Sequence, residues 1–290
     1  MLDGLNSLKV IVLIEDTVPY ESNLLAAHGI SFYLEAKNES TTMRVLFDVG
    51  QSPDALISNM QKLGVEPESI DAIVLSHCHY DHTRGLVKIV EVIGKKELPI
   101  IAHPSIFRLN FVTRPFLRHV GMDLLDARER VESAGGRLFL TSDPLELMNG
   151  LMTTGEVERQ TDFEDVGIEL KSISNGRIVE DKMLDDISLV AGVKGKGIVI
   201  LTGCSHAGIV NIVKQSVKLA GVDKIAGIMG GFHLIEASDD RITKTVGSLK
   251  GFDISMISAG HCTGRRAQHE LKVAFGGKWK DMGSGVVYEF

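Results

Sequence analysis

The strongest chemical signal in this sequence lies in six residues. Positions 77–82 read His-Cys-His-Tyr-Asp-His, so His77, His79, Asp81 and His82 form an H-x-H-x-D-H pattern directly after the apolar run 72–75. In an extended loop alternate side chains point the same way, which lets His77 and His79 grip one metal ion while Asp81 and His82 turn toward a second. Imidazole and carboxylate donors suit Zn(II), Mn(II) or Fe(II). A lone histidine is more often a surface or satisfied core residue than a ligand. Three histidines and an aspartate packed behind one strand point the other way. One or two divalent transition metals, Zn(II) first and Mn(II) or Fe(II) next, are therefore the expected cofactors.

Those residues need elements to hold them. Short β-branched runs at 8–14, 30–36 and 43–47 predict strands, and the near-helical spacing of Ala55, Leu56, Met60 and Leu63 predicts a helix stopped by Gly64. The run 72–75 predicts a strand, followed by a helix from near Arg84. The same unit recurs. Residues 198–202 predict a strand, then a loop with Cys204 and His206, then an amphipathic helix. A strand after 224 ends at His233, and one after 253 ends at His261 with a helix from about Arg265. Four apolar strands each deliver a histidine at the carboxyl end, where layered α/β proteins gather ligands and catalytic groups. Gly192, Gly195 and Gly197 read as a turn between two strands. Their spacing is not the dinucleotide fingerprint.

The stretch 104–186 is less regular and is expected to be a partly helical insertion near the substrate site, with His119 in a helix. No fixed-period repeat, low-complexity tract or linker divides the chain, so residues 1–290 are expected to form a single domain. At 290 residues, 44% hydrophobic and 24% charged, the composition excludes disorder and fibrous repeats. A net charge of −7 and a pI near 5.8 argue against a protein held to nucleic acid by its general charge. A local basic patch would still meet an anionic small molecule. Three cysteines, Cys78, Cys204 and Cys262, fit a reducing cytoplasm better than a disulfide framework. The run 8–14 is too short for a membrane span and lacks a cationic lead and a cleavage site, so the expected location is cytoplasmic with no membrane partner.

The motifs resemble those of the metallo-β-lactamase superfamily. LFDVG at 46–50 resembles its first motif, SHCHYDH its second, TGCSH the motif that normally ends in Gly-Asp, and AGHC the last histidine motif. The resemblance implies an α/β fold, a four-layer αβ/βα sandwich with a one- or two-metal site on the rim between two sheets. More closely, HGIS, LSHCHYDHTRGL, TGEVERQTDFE, TGCSHAGIVN, GGFHL and GHCTG together resemble a branch named for an archaeal dihydropterin synthase of methanopterin biosynthesis. Most of that branch is described only as metal-dependent hydrolases. Two departures stand out. The usual third histidine has no counterpart, since His119 is the one histidine between Pro104 and Gly203, and His206 is taken as the substitute ligand. Cys204 stands where many members have a bridging aspartate. It reads as a thiolate ligand, a thiol lining the substrate site, or a buried structural cysteine.

The expected metal ligands are thus His77, His79 and His206 for one ion and Asp81, His82 and His261 for the other. Asp81 would also accept the nucleophile's proton, and His233 would donate a proton, bind substrate, ligate a metal or cap a strand end. Asp48 resembles the carboxylate that fixes a ligand imidazole, with an N-cap as its structural alternative. His28, Cys204, Arg265 and Arg266 are candidates for substrate contact. The two arginines open a helix, where guanidinium groups and free N–H donors together suit a phosphate. Arg159 and Glu156 enter only through the TGEVER segment. The leading expectation is hydrolysis of an ester, phosphoester or lactone in an anionic or phosphorylated small molecule, by a shared water whose pKa the metals bring to about 7. The alternative is the branch's transferase, in which an arylamine displaces the diphosphate of a pterin-methyl diphosphate. A metal-holding module without turnover fits less well, because six candidate ligands exceed the four that close a structural site.

Overall fold

The computed structural model describes residues 2 and 4–290 of the chain. Its first half contains β1 (Ser7–Ile14), β2 (Ser31–Lys37), β3 (Thr42–Phe47), α1 (Pro53–Leu63), β4 (Ala72–Val74), α2 (Tyr80–Thr83), α3 (Leu86–Ile93) and β5 (Leu98–Ala102). The middle follows with β6 (Asn110–Val112), β7 (Arg118–His119), α4 (Arg128–Ser133), β8 (Gly136–Leu140), β9 (Glu146–Met148), β10 (Leu151–Thr153), β11 (Lys171–Ser174) and β12 (Arg177–Glu180). The last part contains β13 (Leu189–Val193), β14 (Gly197–Thr202), α5 (Ile209–Ala220), β15 (Lys224–Gly231), α6 (Asp239–Leu249), β16 (Asp253–Ile254), β17 (Ile257–Gly260), α7 (Arg265–Phe275) and β18 (Val287–Glu289).

Two large sheets form, one in the order β18-β1-β2-β3-β4-β5-β8, the other β16-β15-β14-β13-β10-β9 with β17 also paired to β15. Their strands read as continuous apolar runs because both faces are covered. In β1, Val10 and Val12 face Leu189, Ala191, Val199 and Leu201 of the opposite sheet, while Ile11 and Leu13 pack with Leu56 and Met60 of α1 and Ile89 and Val90 of α3. The outer face of the second sheet, with Val190, Ile200 and Ile228, packs on α5, α6 and α7 through Val213, Ile242 and Leu271. Helices, sheet, sheet and helices make the four-layer α/β sandwich that the motifs imply. Phe32 and Phe47 stack between the sheets with ring centroids 6.4 Å apart. Truncating Phe47 to Ala would cost about 3–5 kcal/mol in lost transfer energy and cavity.

The strand directions create the site. β3, β4 and β5 are mutually parallel, and β1 points the same way because it is antiparallel to β2, which is antiparallel to β3. In the second sheet β14, β15 and β17 are parallel. Each sheet therefore presents several carboxyl ends along one edge. β13 and β14 do form an antiparallel hairpin, but of the three glycines only Gly195 lies in its turn; Gly192 and Gly197 pair within the strands.

The stretch 104–186 holds the six-residue α4 and one 3-10 turn, but most of its regular structure is strand. His119 is in β7 rather than in a helix, exposed on a small third sheet of order β12-β11-β6-β7. Its β11–β12 hairpin turns at Asn175-Gly176, both at positive φ, the chemistry a two-residue turn requires. No helix among the described residues is long and apolar enough to cross a membrane.

Candidate metal centre

Six strand ends supply the centre. Asp16 follows β1, Asp48 follows β3, residues 76–82 follow β4, Cys204 to His206 follow β14, His233 follows β15 and His261 follows β17. Asp48, Ser205, His233 and His261 have left-handed backbone, with φ between 44° and 61°. Such conformations cost free energy in non-glycine residues and persist only where the surroundings impose them.

The alternation predicted for the 77–82 loop places His77 and His79 together, while the Cys78 sulfur turns into the apolar core beneath α3. His79 Nδ1 lies 3.2 Å from His77 Nε2 and 3.2 Å from His206 Nε2. On the other side, Asp81 Oδ2 is 3.2 Å from His261 Nε2 and 3.6 Å from His82 Nε2. Cys204 stands between the two groups. Its Sγ is 3.1 Å from His82 Nε2 and converges both with Asp81, His82 and His261 and with His77 and His206.

Hydrogen bonds fix which nitrogen each ring offers. His82 donates Nδ1–H to Asp48 (2.7 Å), and Ser76 donates its hydroxyl to the same carboxylate oxygen (2.6 Å) while accepting Nδ1–H from His77 (2.8 Å). One aspartate thus orients two imidazoles. It is not an N-cap; Ser52 caps α1. His206 donates Nδ1–H to the Val166 carbonyl (3.1 Å), and His261 to Asp16 (2.8 Å). Each ring then turns its Nε2 inward.

Electrostatics divide the centre. His77 and His206 are held well below the usual histidine range, and His79 at about 4, chiefly by burial and for His77 and His206 by neighbouring imidazoles as well. These three are neutral at pH 7. The Nε2 atoms of His77 and His206 both lie 3.2 Å from His79 Nδ1, so three neutral rings present nitrogens that a divalent cation can take up in place of a hydrogen bond between them. His82 and His261 are instead raised. Burial opposes their charge, but Asp81 and Asp48 outweigh it at His82, and Cys262, Asp16 and Asp81 do so at His261. Asp81 is held well below the carboxylate range because His82 and His261 overcome its burial. Both sides accept a divalent cation: His77, His79 and His206 as neutral imidazoles, and Asp81, His82 and His261 as a carboxylate with two imidazoles, with Cys204 able to join either.

Residues that the motifs did not single out brace these loops. Asp185 accepts the backbone N–H of Cys78 (2.8 Å), and Asp186 accepts that of Ala207 (2.6 Å), so two consecutive carboxylates tie down both histidine loops. Burial pushes Asp186 up to about 7. Arg108 bridges Asp181 and Asp185 at 2.6 Å each. Arg159 donates to the His206 carbonyl (2.7 Å) and to the carbonyls of Lys182 and Met183, which makes it a brace for the His206 loop. Asp16 was not singled out, though its place directly behind an apolar strand is a signal that could have marked it. Asp185 and Asp186 carry no such local signal.

The remaining candidates sit as follows. His28 is half exposed and bonds Asp16, with its other nitrogen 3.4 Å from Asp81. The His233 ring packs 4.1 Å from that of His206. Arg265 and Arg266 are exposed at the start of α7, and Arg266 is engaged by the Ala237 carbonyl and by Asp239. Glu156 pairs with His103 (2.8 Å), a histidine that ends β5 yet joins none of the convergent groups above. A groove of about 440 Å³ borders the centre through Val166 and Gly167, with Arg159, Glu164, Glu180 and Lys182 along it.

With strand-end histidines, a fixed carboxylate beneath them and a four-layer sandwich, comparison with known proteins gives one family. The chain belongs to the metallo-β-lactamase superfamily, whose description matches residues 38–169. It is 39% identical to the 7,8-dihydropterin-6-methyl-4-(β-D-ribofuranosyl)-aminobenzene-5'-phosphate synthase of Methanocaldococcus jannaschii, over 98% of this chain and 97% of that one. An uncharacterised protein of the same organism is 35% identical over 90% of this chain and 93% of its own. A crystal structure described as a metal-dependent hydrolase of the β-lactamase superfamily superposes with a TM-score of 0.80 at 25% identity, over 98% of this chain and 99% of the other.

Proposed function

We propose that this chain is a metal-dependent enzyme that condenses a dihydropterin-methyl diphosphate with a ribosyl aminobenzene phosphate. The observation that carries this reading is the 39% identity to the archaeal synthase along essentially the whole of both chains. In the reaction the arylamine nitrogen forms a bond to the pterin methyl carbon, diphosphate leaves with the bonding electrons, and the nitrogen loses a proton. His77, His79 and His206 would hold one divalent ion, Asp81, His82 and His261 the other, with Cys204 between them. Bound there, the ions supply the positive charge that a departing diphosphate needs.

The chain's own groups do the rest. Asp48 and Asp16 keep His82 and His261 with Nε2 turned inward. Asp81, ionised and facing the centre, is placed to accept the amine proton. The groove beside Val166 and Gly167, residues that neighbour His206 and His233, is where this reading places the flat heterocycle. Of the two arginines anticipated at a phosphate, Arg266 is engaged by the Ala237 carbonyl and Asp239, and Arg265 stands exposed beside it.

Hydrolysis is the second reading, favoured by the hydrolase description of the structural neighbour. Water would then take the place of the amine. The test is direct. Purified metal-loaded protein is incubated with the pterin diphosphate, with and without the ribosyl aminobenzene phosphate. The proposal expects coupled product only when both are present; pterin alcohol in equal yield from both mixtures would establish the hydrolase instead.

A further inference from the structure

Beside the two ligand groups lies a third, which shares Cys204 with them and adds Cys262 and His233. The Cys204 and Cys262 sulfurs and a ring nitrogen of His233 all lie within 4.8 Å of one another. Cys262 Sγ is also 3.6 Å from the Cys204 carbonyl oxygen. His233 Nδ1 is buried with no hydrogen-bond partner among the described residues. An unpaired buried nitrogen is costly, and in native proteins it asks for a ligand, an ion or a water.

The backbone makes room for this convergence. At Gly231 a Cβ would lie 2.6 Å from Cys262 Sγ, and at Gly167 one would lie 2.5 Å from the His233 ring. His233 itself has φ of 44°, so its side chain reaches this position from strained backbone. Two thiols and an imidazole form a softer donor set than the imidazole–carboxylate groups next to them, suited to Zn(II), Cd(II) or Cu(I) rather than Mn(II) or Mg(II). With metal–sulfur bonds near 2.3 Å and metal–nitrogen bonds near 2.1 Å, tetrahedral ligand atoms lie about 3.5–3.8 Å apart. Each atom needs to approach by only about half an ångström to reach that separation.

We propose that Cys204, Cys262 and His233 form a further, thiolate-rich position for a soft divalent metal, sharing Cys204 with the centre described above. This goes beyond the proposed reaction and does not depend on which reaction the centre performs.

Cd(II) is the probe. Metal-free full-length protein, kept reduced with a phosphine, is titrated with Cd(II) while near-ultraviolet thiolate-to-metal absorption and bound metal are followed. The wild type should show absorption from two thiolates. Cys262→Ser should halve it and remove one bound equivalent, and His233→Ala should weaken that same equivalent. His79→Ala should remove a different equivalent and leave the two-thiolate absorption intact, so failure of the imidazole site and failure of this one read out separately. Cys262→Ala with its circular dichroism spectrum guards against misfolding. The proposal is overturned if folded Cys262→Ser and Cys262→Ala retain the full absorption and stoichiometry. It is equally overturned if His79→Ala abolishes the two-thiolate absorption, because the sulfurs would then belong to the imidazole position.

Discussion

The two sides of the metal centre are built from the same residue type and behave in opposite ways. His77, His79 and His206 sit among one another, buried, and are neutral because burial outweighs what neighbours return, including Asp81 and Asp185 at His79. His82 and His261 are as deeply buried, yet Asp81, Asp48 and Asp16 hold them toward the charged form. Histidine alone therefore does not define the chemistry of a position; the carboxylates around it do. One side offers a cation neutral imidazoles, the other a carboxylate with two imidazoles held by further carboxylates.

The largest effect should come from breaking the imidazole side. His79→Ala removes the ring that touches both His77 and His206, and we expect loss of one metal equivalent and roughly 10³-fold lower activity, beyond the 10–100-fold typical of outer partners. Metal analysis beside the condensation assay checks this. Asp48→Ala should lower metal affinity about 10–100-fold by freeing both His77 and His82, so competition with a chelator should show both ions weakened. Asp16→Asn touches the carboxylate side alone. About tenfold weaker binding of one ion, with the other unchanged, is expected in the same competition.

Acidification should separate the two sides without mutation. Protons occupy His82 and His261 at higher pH than His79, which titrates at about 4. As pH falls, the carboxylate-side ion should therefore leave first; simultaneous release of both would refute the division. Asp186 provides a stability counterpart. Its pKa is raised to about 7 by burial, so between the ordinary carboxylate value and 7 the native state binds more protons than the unfolded one, and stability falls as pH rises through that window. Metal-free Asp186→Asn, which can still accept the Ala207 N–H, should lack this slope and exceed the wild type by about 2–4 kcal/mol at pH 8 in urea unfolding. The smallest effect is expected from Arg266→Ala, with activity changed less than about twofold, since its partners lie outside the centre.

Much of the fold was legible because both sheets are covered on both faces. That burial writes strands as apolar runs, and the loops behind them stand out by polarity. The centre was legible where ligands cluster locally, as in 77–82. Asn175-Gly176, a turn signal the sequence reading did not use, marks the β11–β12 hairpin within a stretch that read as partly helical. His103 shows the limit. It ends an apolar strand as His77 and His261 do, but β5 lies one strand further from the rim where the sheets meet, and the ring pairs with Glu156 instead.

By itself the sequence determined the layered α/β class, the strand ends as the place of chemistry, and the H-x-H-x-D-H loop, because each depends on periodicity or on neighbours within a few residues. Only the tertiary structure decided that Asp16 holds His261 across 245 positions, that Asp185 and Asp186 tie the two histidine loops, and that Cys78 leaves the site while Cys262 enters it. Those contacts depend on which strand ends face one another across the two sheets. No local pattern records that alignment, since it follows from how the whole core packs.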